Sequence, residues 1–92
     1  MPPLSHQDAH SRLAGLSGWR IENGELIKTF QFRDFSAALD FVNQVGKAAE
    51  DAGHHPDIDI RYNKVRLALV THDSGGLTTK DFDLAAKAQS LA

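Results

Sequence analysis

Residues 57–70 have the sequence DIDIRYNKVRLALV, in which apolar and polar side chains alternate in two short runs. Such alternation is typical of strands that bury one face. A two-residue turn at Asn63-Lys64 would bring the apolar side chains of both runs onto one face. This turn predicts three cross-strand pairs: Tyr62 with Val65, Ile60 with Leu67, and Ile58 with Leu69. The stretch therefore predicts a β-hairpin with one face against the core.

A second hairpin is predicted upstream, where Asn23-Gly24 separates a short strand from a longer one. The return strand runs from about residue 25 to residue 32. Phe30 and Phe32 alternate along it, and we expect them to mark its core face.

Helical patterns account for three further segments of the chain. The first helix is indicated by Ser5 with Asp8 at its start and ends near Gly15. The last helix is indicated by Thr78 and Asp81, which have the spacing of a capping box. Asp34 or Ser36 would cap the second helix, which ends at Gly53. Its apolar side chains recur at helical spacing, with Phe41 off the centre of the stripe. The stripe comprises Phe35, Ala38, Leu39, Val42, Val45 and Ala49.

These elements give the order α-β-β-α-β-β-α. Two hairpins that flank a long helix predict an α+β fold, in which helices cover one face of a single antiparallel sheet. We expect one domain, residues 1–92, with no internal linker. So short a chain has a thin core, and oligomerisation would add to its stability.

Composition limits the classes of function. The net charge of −2 argues against a general nucleic-acid binder, which needs a basic face. No apolar run approaches the roughly 20 residues of a membrane span, and the first residues do not resemble a signal peptide. The chain has no cysteine, so disulfides and zinc–thiolate sites are excluded. We expect a cytoplasmic protein that does not bind membranes.

Three histidines are predicted to converge at one end of the second hairpin. His54 and His55 precede its first strand, and His72 follows its second strand. Imidazole exchanges protons near neutral pH, because its ordinary pKa is about 6.5. Several imidazoles around one pocket can therefore protonate a leaving group and remove a proton elsewhere on a substrate. That chemistry suits elimination, hydration or isomerisation.

Two other interpretations of these histidines stay open at this point. Together with Asp73, Asp81 or Glu50 they could form a metal site, although adjacent histidines rarely aim both rings at one ion. They could also cap the helix and the strand without any chemical role. Glu50 could orient an imidazole or remain solvated, and Asp81 is expected to cap a helix at least in part. Tyr62 is expected to pack against the core.

The same residues carry a resemblance to a known family. The pattern Glu50-x3-His54-His55-Pro56-x5-Tyr62-x9-His72-x8-Asp81 resembles the signature of the pterin-4a-carbinolamine dehydratases. The similarity extends from about Leu16 to Ala88. Many members of that family have an aromatic residue where this chain has Ile58.

The resemblance implies a four-stranded antiparallel sheet with three helices on one face. It also implies dehydration of 4a-hydroxytetrahydrobiopterin, the 4a-carbinolamine, to quinonoid dihydropterin in tetrahydropterin recycling, without a metal or cofactor. By this resemblance the catalytic positions are His54, His55 and His72, and Glu50 and Asp81 support them. His54 and His72 would transfer protons and His55 would hold the pterin. The expected partners are a small pterin substrate and further copies of the chain, as a homodimer or homotetramer.

A function of another class is the alternative. Animal relatives in the family also serve as dimerisation cofactors of a transcription factor, so the chain could be a non-enzymatic protein-binding module. A binder without catalysis would be expected to lose one or more of the histidines, and this chain has all three. That observation favours the enzyme, a hydro-lyase.

Overall fold

The computed structural model describes residues 2–92, which form three α-helices, four β-strands and a short 3₁₀ helix. In chain order these are α1 (His6–Leu13), β1 (Arg20–Glu22), β2 (Glu25–Gln31), α2 (Phe35–Ala52), β3 (Asp57–Arg61), β4 (Lys64–Leu69), the 3₁₀ helix (His72–Ser74) and α3 (Thr79–Leu91). The predicted element order and the α+β class are confirmed. No helix of the described residues is long and apolar enough to cross a membrane.

The four strands form one antiparallel sheet in the order β1-β2-β4-β3. The two inner strands, β2 and β4, supply the apolar floor of the core, and β1 and β3 are the edges. Side chains of all three helices join the same core cluster. Its largest buried members include Leu26, Phe30, Phe41, Val45, Val65, Leu67, Leu69 and Phe82.

The turn of the second hairpin lies one residue earlier than the sequence predicted. Tyr62 and Asn63 form the turn, so Ile60 faces Val65 and Ile58 faces Leu67. The predicted register was therefore wrong by two residues. Asn63 favours the observed register through two hydrogen bonds to Phe32. Its side-chain amide donates to the carbonyl of Phe32 at 2.8 Å, and its backbone carbonyl accepts from the Phe32 N–H at 2.8 Å. A shift of two leaves every side chain on its predicted face.

Tyr62 does not pack against the core as predicted. It adopts a left-handed φ of 54° in the turn, and it is 67% exposed. The left-handed region is uncommon for a residue other than glycine, asparagine or aspartate. The predicted hairpin signal at Asn23-Gly24 is confirmed, since both residues have positive φ, 53° and 79°.

The buried stripe of α2 is centred differently from the predicted one. Phe41 is buried, and its ring centroid lies 4.7 Å from that of Phe30 and 4.9 Å from that of Phe32. Phe35 and Leu39 lie instead at the exposed margin, with 46% and 36% of their surface accessible. Phe30 on β2 and Phe32 directly after it pack against Phe41, and these aromatic contacts place Phe41 on the buried face of α2. Helical periodicity alone does not reveal such partners.

Candidate functional site

The end of α2 places the two adjacent histidines beside the sheet. Gly53 has a left-handed φ of 63°, and its N–H and that of His54 both donate to carbonyls of the last helical turn. This is the usual glycine stop of a helix. Pro56 prevents the helix from resuming, and β3 begins at Asp57. His54 and His55 therefore lie in a short extended link between α2 and β3.

The third histidine lies on a tight loop after β4. Thr71 forms an isolated antiparallel bridge with Gly76, and the four-residue loop between them ends at Gly75, which has a φ of 74°. His72 begins the 3₁₀ helix inside this loop. Its imidazole is thus carried by a segment whose two ends are hydrogen-bonded to each other.

A cavity of about 260 Å³ joins the two segments. All three predicted histidines line it. Its remaining walls come from the loop after β4 and from the first turn of α3. The complete lining consists of Gly53, His54, His55, Val70, Thr71, His72, Asp73 and Lys80. His55 and His72 are exposed at its mouth, whereas the side chain of His54 is only 12% accessible.

Asp81 holds the ring of His54 from behind. Its carboxylate is fully buried, and Oδ1 lies 2.5 Å from Nε2 of His54. The other oxygen, Oδ2, accepts from the hydroxyl of Thr71 at 2.8 Å and from the N–H of Thr78 at 2.9 Å. The hydroxyl of Thr78 donates in turn to that of Thr71 at 2.8 Å, because the Thr71 proton points to Asp81. The predicted capping box of α3 is present, and its carboxylate also contacts the cavity histidine.

The geometry fixes which nitrogen of His54 is free. An ionised carboxylate only accepts hydrogen bonds, so Nε2 of His54 must carry a proton. Among the described residues Nδ1 has no hydrogen-bond partner, and no buried side-chain nitrogen or oxygen lacks one. Nδ1 of His54 is therefore accessible to solvent. It is the nitrogen that can exchange a proton with a bound molecule.

Glu50 and His55 form a second pair at the mouth of the cavity. Oε2 of Glu50 is hydrogen-bonded to Nε2 of His55 across one helical turn and the Gly53 stop. Both side chains are mostly accessible to water, 75% for Glu50 and 62% for His55. An exposed pair of this kind adds little to stability, so both groups are available to a ligand.

Within residues 2–92, no three side chains of histidine, cysteine, aspartate or glutamate are grouped so that they could hold a metal ion. His6 and His10, which lie one turn apart on α1, pack edge to face with ring centroids 4.3 Å apart. The cavity thus contains proton-exchanging and hydrogen-bonding groups in a partly buried setting.

Two contributors to the cavity were not identified from the sequence. Thr71 links the histidine loop to Asp81, and Lys80 forms part of the wall. Lys80 directly precedes the capping aspartate, which is the only signal that could have identified it. His54, His55 and His72 lie where the hairpin argument placed them, at the end of the β3–β4 hairpin, and they line one cavity with Lys80 at the start of α3.

Comparison with known proteins gives consistent results over the whole chain. The sequence model of the family described as "Pterin 4 alpha carbinolamine dehydratase" matches residues 2–91. A protein of Acidobacterium capsulatum is 55% identical over 91 residues, which cover 99% of each chain. One from Chloroflexus aurantiacus is 58% identical over 86 residues, 94% of this chain and 92% of the other. Both relatives have the name "Putative pterin-4-alpha-carbinolamine dehydratase".

Solved structures share the fold. A "transcriptional coactivator/pterin dehydratase" from Brucella melitensis superposes with a TM-score of 0.95 over 98% of each chain, at 33% identity. A protein described as "a pterin dehydratase-like protein as a RuBisCO assembly factor in the alpha-carboxysome" has a TM-score of 0.70 at 24% identity, and covers 82% of this chain and 89% of its own. At that identity the second likeness shows the fold alone.

Proposed function

The chain belongs to the pterin 4 alpha carbinolamine dehydratase family, and from this premise we propose that it is a hydro-lyase that dehydrates a 4a-hydroxytetrahydropterin. The substrate is 4a-hydroxytetrahydrobiopterin or a close analogue, and the product is the quinonoid dihydropterin. The reaction serves tetrahydropterin recycling. One observation carries the proposal: three histidines line one small cavity, and a buried carboxylate orients the least exposed of them.

The reaction needs one acid and one base. The bond between C4a and the hydroxyl oxygen breaks, and a proton must reach that oxygen so that water leaves. The proton on N5 is lost, and a C4a–N5 double bond forms. Two imidazoles on different segments can divide these tasks, because one can start protonated and the other neutral near pH 7.

His54 and His72 transfer the protons in this proposal. Asp81 accepts the hydrogen bond of Nε2 of His54, so the protonated ring can donate to the departing hydroxyl through Nδ1. His72 lines the same cavity from the loop after β4 and is exposed, which suits a base that must pass its proton to water. The two roles can exchange for the opposite C4a stereoisomer.

His55 and Glu50 hold the pterin. The pyrimidine ring of a pterin presents N–H donors at N3 and at the 2-amino group, and a carboxylate at the mouth of the cavity can accept from both. His55 contacts Glu50 and lines the cavity, so it can orient this carboxylate and contact the ring.

A stopped-flow assay of 4a-hydroxytetrahydropterin decay tests the proposal. The wild-type chain should accelerate decay over buffer, and the double variant His54→Ala/His72→Ala should lose that excess rate. The matched control is His6→Ala/His10→Ala, which removes two α1 histidines that do not line the cavity and should keep full activity. Full activity in the His54/His72 double variant would overturn the assignment.

The chain also acts as a homodimer or homotetramer in this proposal. Four large apolar side chains are exposed, two on α2 and two around β3: Phe35, Leu39, Ile58 and Tyr62. Among residues 2–92 no strand pairs with the outer side of the edge strand β3, and such an edge is a ready template for pairing with another chain. A second candidate function is a protein-binding module that would use the same surface. The similar protein from Brucella melitensis is described as a transcriptional coactivator as well as a pterin dehydratase.

A further inference from the structure

Two cavities of the molecule meet at the same two side chains. The histidine cavity lies on one side, and a groove of about 380 Å³ between α2 and α3 lies on the other. His54 and Lys80 are the residues that line both. The rest of the groove consists of Ala48, Asp51, Ala52, Asp83, Leu84 and Lys87. A molecule bound beside His54 therefore lies beside Lys80, whichever way it extends.

The backbone of Lys80 is held in place by the network that orients His54. Its N–H donates to the hydroxyl of Thr78 at 3.3 Å, and the next residue is the buried Asp81. Its side chain is exposed, and among residues 2–92 its ammonium forms no ion pair with a carboxylate. All three N–H donors of Lys80 are thus available to a ligand.

Lys80 is the one lysine or arginine among the described residues that line the cavity. Asp73 only accepts, and the histidines are assigned to proton exchange or to the pair with Glu50. A pterin presents one strong acceptor next to the reacting carbon, the 4-oxo oxygen on C4, which is bonded to C4a. A donor fixed on that oxygen would set the position of C4a relative to His54.

We propose that Lys80 binds the 4-oxo oxygen of the pterin and makes the site selective for 4-oxo over 4-amino pterins. This inference rests on the proposed dehydratase function and adds a specificity-determining residue to it. A 4-amino group presents N–H donors to an ammonium that can only donate, so its binding leaves Lys80 without an acceptor.

The test measures binding of a 4-oxo and a 4-amino dihydropterin by fluorescence titration. The 4-amino compound also lacks the N3–H, so the contribution of Lys80 is the change in preference between the wild-type chain and the Lys80 variants. The wild-type chain should bind the 4-oxo compound at least about tenfold tighter, since a hydrogen bond to a charged donor contributes that much or more. Lys80→Ala should reduce this preference about tenfold, and Lys80→Arg should restore part of it. In turnover, Lys80→Ala should raise KM about tenfold and leave kcat within about threefold.

Lys87→Ala is the matched control. Lys87 is an equally exposed lysine on α3, but it lines only the groove. It should keep the wild-type preference. Equal affinity of the wild-type chain for both compounds would overturn the inference, and so would an equal loss of preference in the two lysine variants. The proposed function would still stand in either case if the wild-type chain dehydrates a 4a-hydroxytetrahydropterin. Failure of the wild-type chain to dehydrate any 4a-hydroxytetrahydropterin would overturn both.

Discussion

Asp81 lies 27 positions after His54, and its Oδ1 approaches Nε2 of that histidine at 2.5 Å. The carboxylate is fully buried at the first turn of α3, and the imidazole lies at the link between α2 and β3. A single side chain thus caps a helix and fixes the ring that faces the cavity. Stability and the proposed chemistry therefore depend on the same oxygen atoms.

Replacing Asp81 by asparagine should impair the proposed catalysis. The amide keeps the shape of the side chain but removes the negative charge, and it can present an N–H to Nε2 of His54 in place of an acceptor oxygen. We expect kcat to fall on the order of 10- to 100-fold, which is less than the roughly 10²- to 10⁴-fold contribution of a positioned acid or base, because His54 itself remains. The free energy of unfolding in urea should fall by about 1–3 kcal/mol, because the buried donors of Thr71 and Thr78 lose a charged acceptor.

The matched control for this substitution is Asp83→Asn, two residues further along α3 and exposed. It should change kcat less than about twofold and unfolding by less than about 0.5 kcal/mol. A kcat of the Asp81→Asn variant equal to that of the wild-type chain would show that the buried carboxylate caps α3 and has no role in catalysis.

The tautomer of His54 is a second prediction. Because Nε2 faces a carboxylate, the neutral ring should carry its proton on Nε2 and leave Nδ1 unprotonated. Two-bond ¹H–¹⁵N correlation spectra at high pH measure this directly from the two ring nitrogens. A neutral ring with its proton mainly on Nδ1 would contradict the assigned hydrogen bond and remove Nδ1 as the exchanging atom.

The sequence predicted most of this fold because its signals are local. The Asn23-Gly24 turn, the Gly53 stop and the Thr78–Asp81 capping box each decide a backbone conformation within a few residues. The register of the second hairpin escaped prediction for a physical reason. Side chains repeat every two residues along a strand, so a shift of two residues leaves the apolar pattern unchanged. Only the contact of Asn63 with Phe32, 31 positions away, distinguishes the two registers.

The site was predictable to a smaller extent. His54, His55 and His72 could be placed together because both of their segments border one hairpin, and this holds in either register. Lys80 could not be placed, since its contribution depends on how α3 packs against the end of α2. The buried face of α2 was mispredicted around Phe41 for a similar reason, because its aromatic partners lie on β2.

The exposed pair at the cavity mouth gives a third prediction, which separates binding from catalysis. Glu50→Gln should raise KM for the 4a-hydroxytetrahydropterin about tenfold and leave kcat within about threefold, because it removes an acceptor for the pterin N–H groups. The free energy of unfolding should change by less than about 1 kcal/mol, since the pair is exposed. Steady-state kinetics and urea denaturation measure these quantities.

Asp40→Asn is the control for Glu50→Gln, because it removes an exposed carboxylate from the same helix far from the cavity lining. Its KM should match that of the wild-type chain. A fall in kcat with unchanged KM in the Glu50→Gln variant would move Glu50 from substrate binding to proton transfer.

The fourth prediction concerns self-association through the exposed apolar surface. Leu39 and Phe35 lie one turn apart on α2 and are accessible to water, although buried positions on the same helix are filled by Ala38 and Phe41. A monomer would leave these large side chains in water, and their burial in an interface gains free energy roughly in proportion to the apolar area removed. Sedimentation velocity of the wild-type chain should therefore detect a species larger than the monomer.

Leu39→Glu should shift the association equilibrium towards the monomer, because a carboxylate cannot be buried in the interface without a partner. Asn43→Glu, one turn further along α2 and also exposed, adds the same charge without removing apolar surface and should shift the equilibrium less. A wild-type chain that sediments as a monomer at micromolar concentration would contradict the prediction, and an equal shift in both variants would place the interface elsewhere.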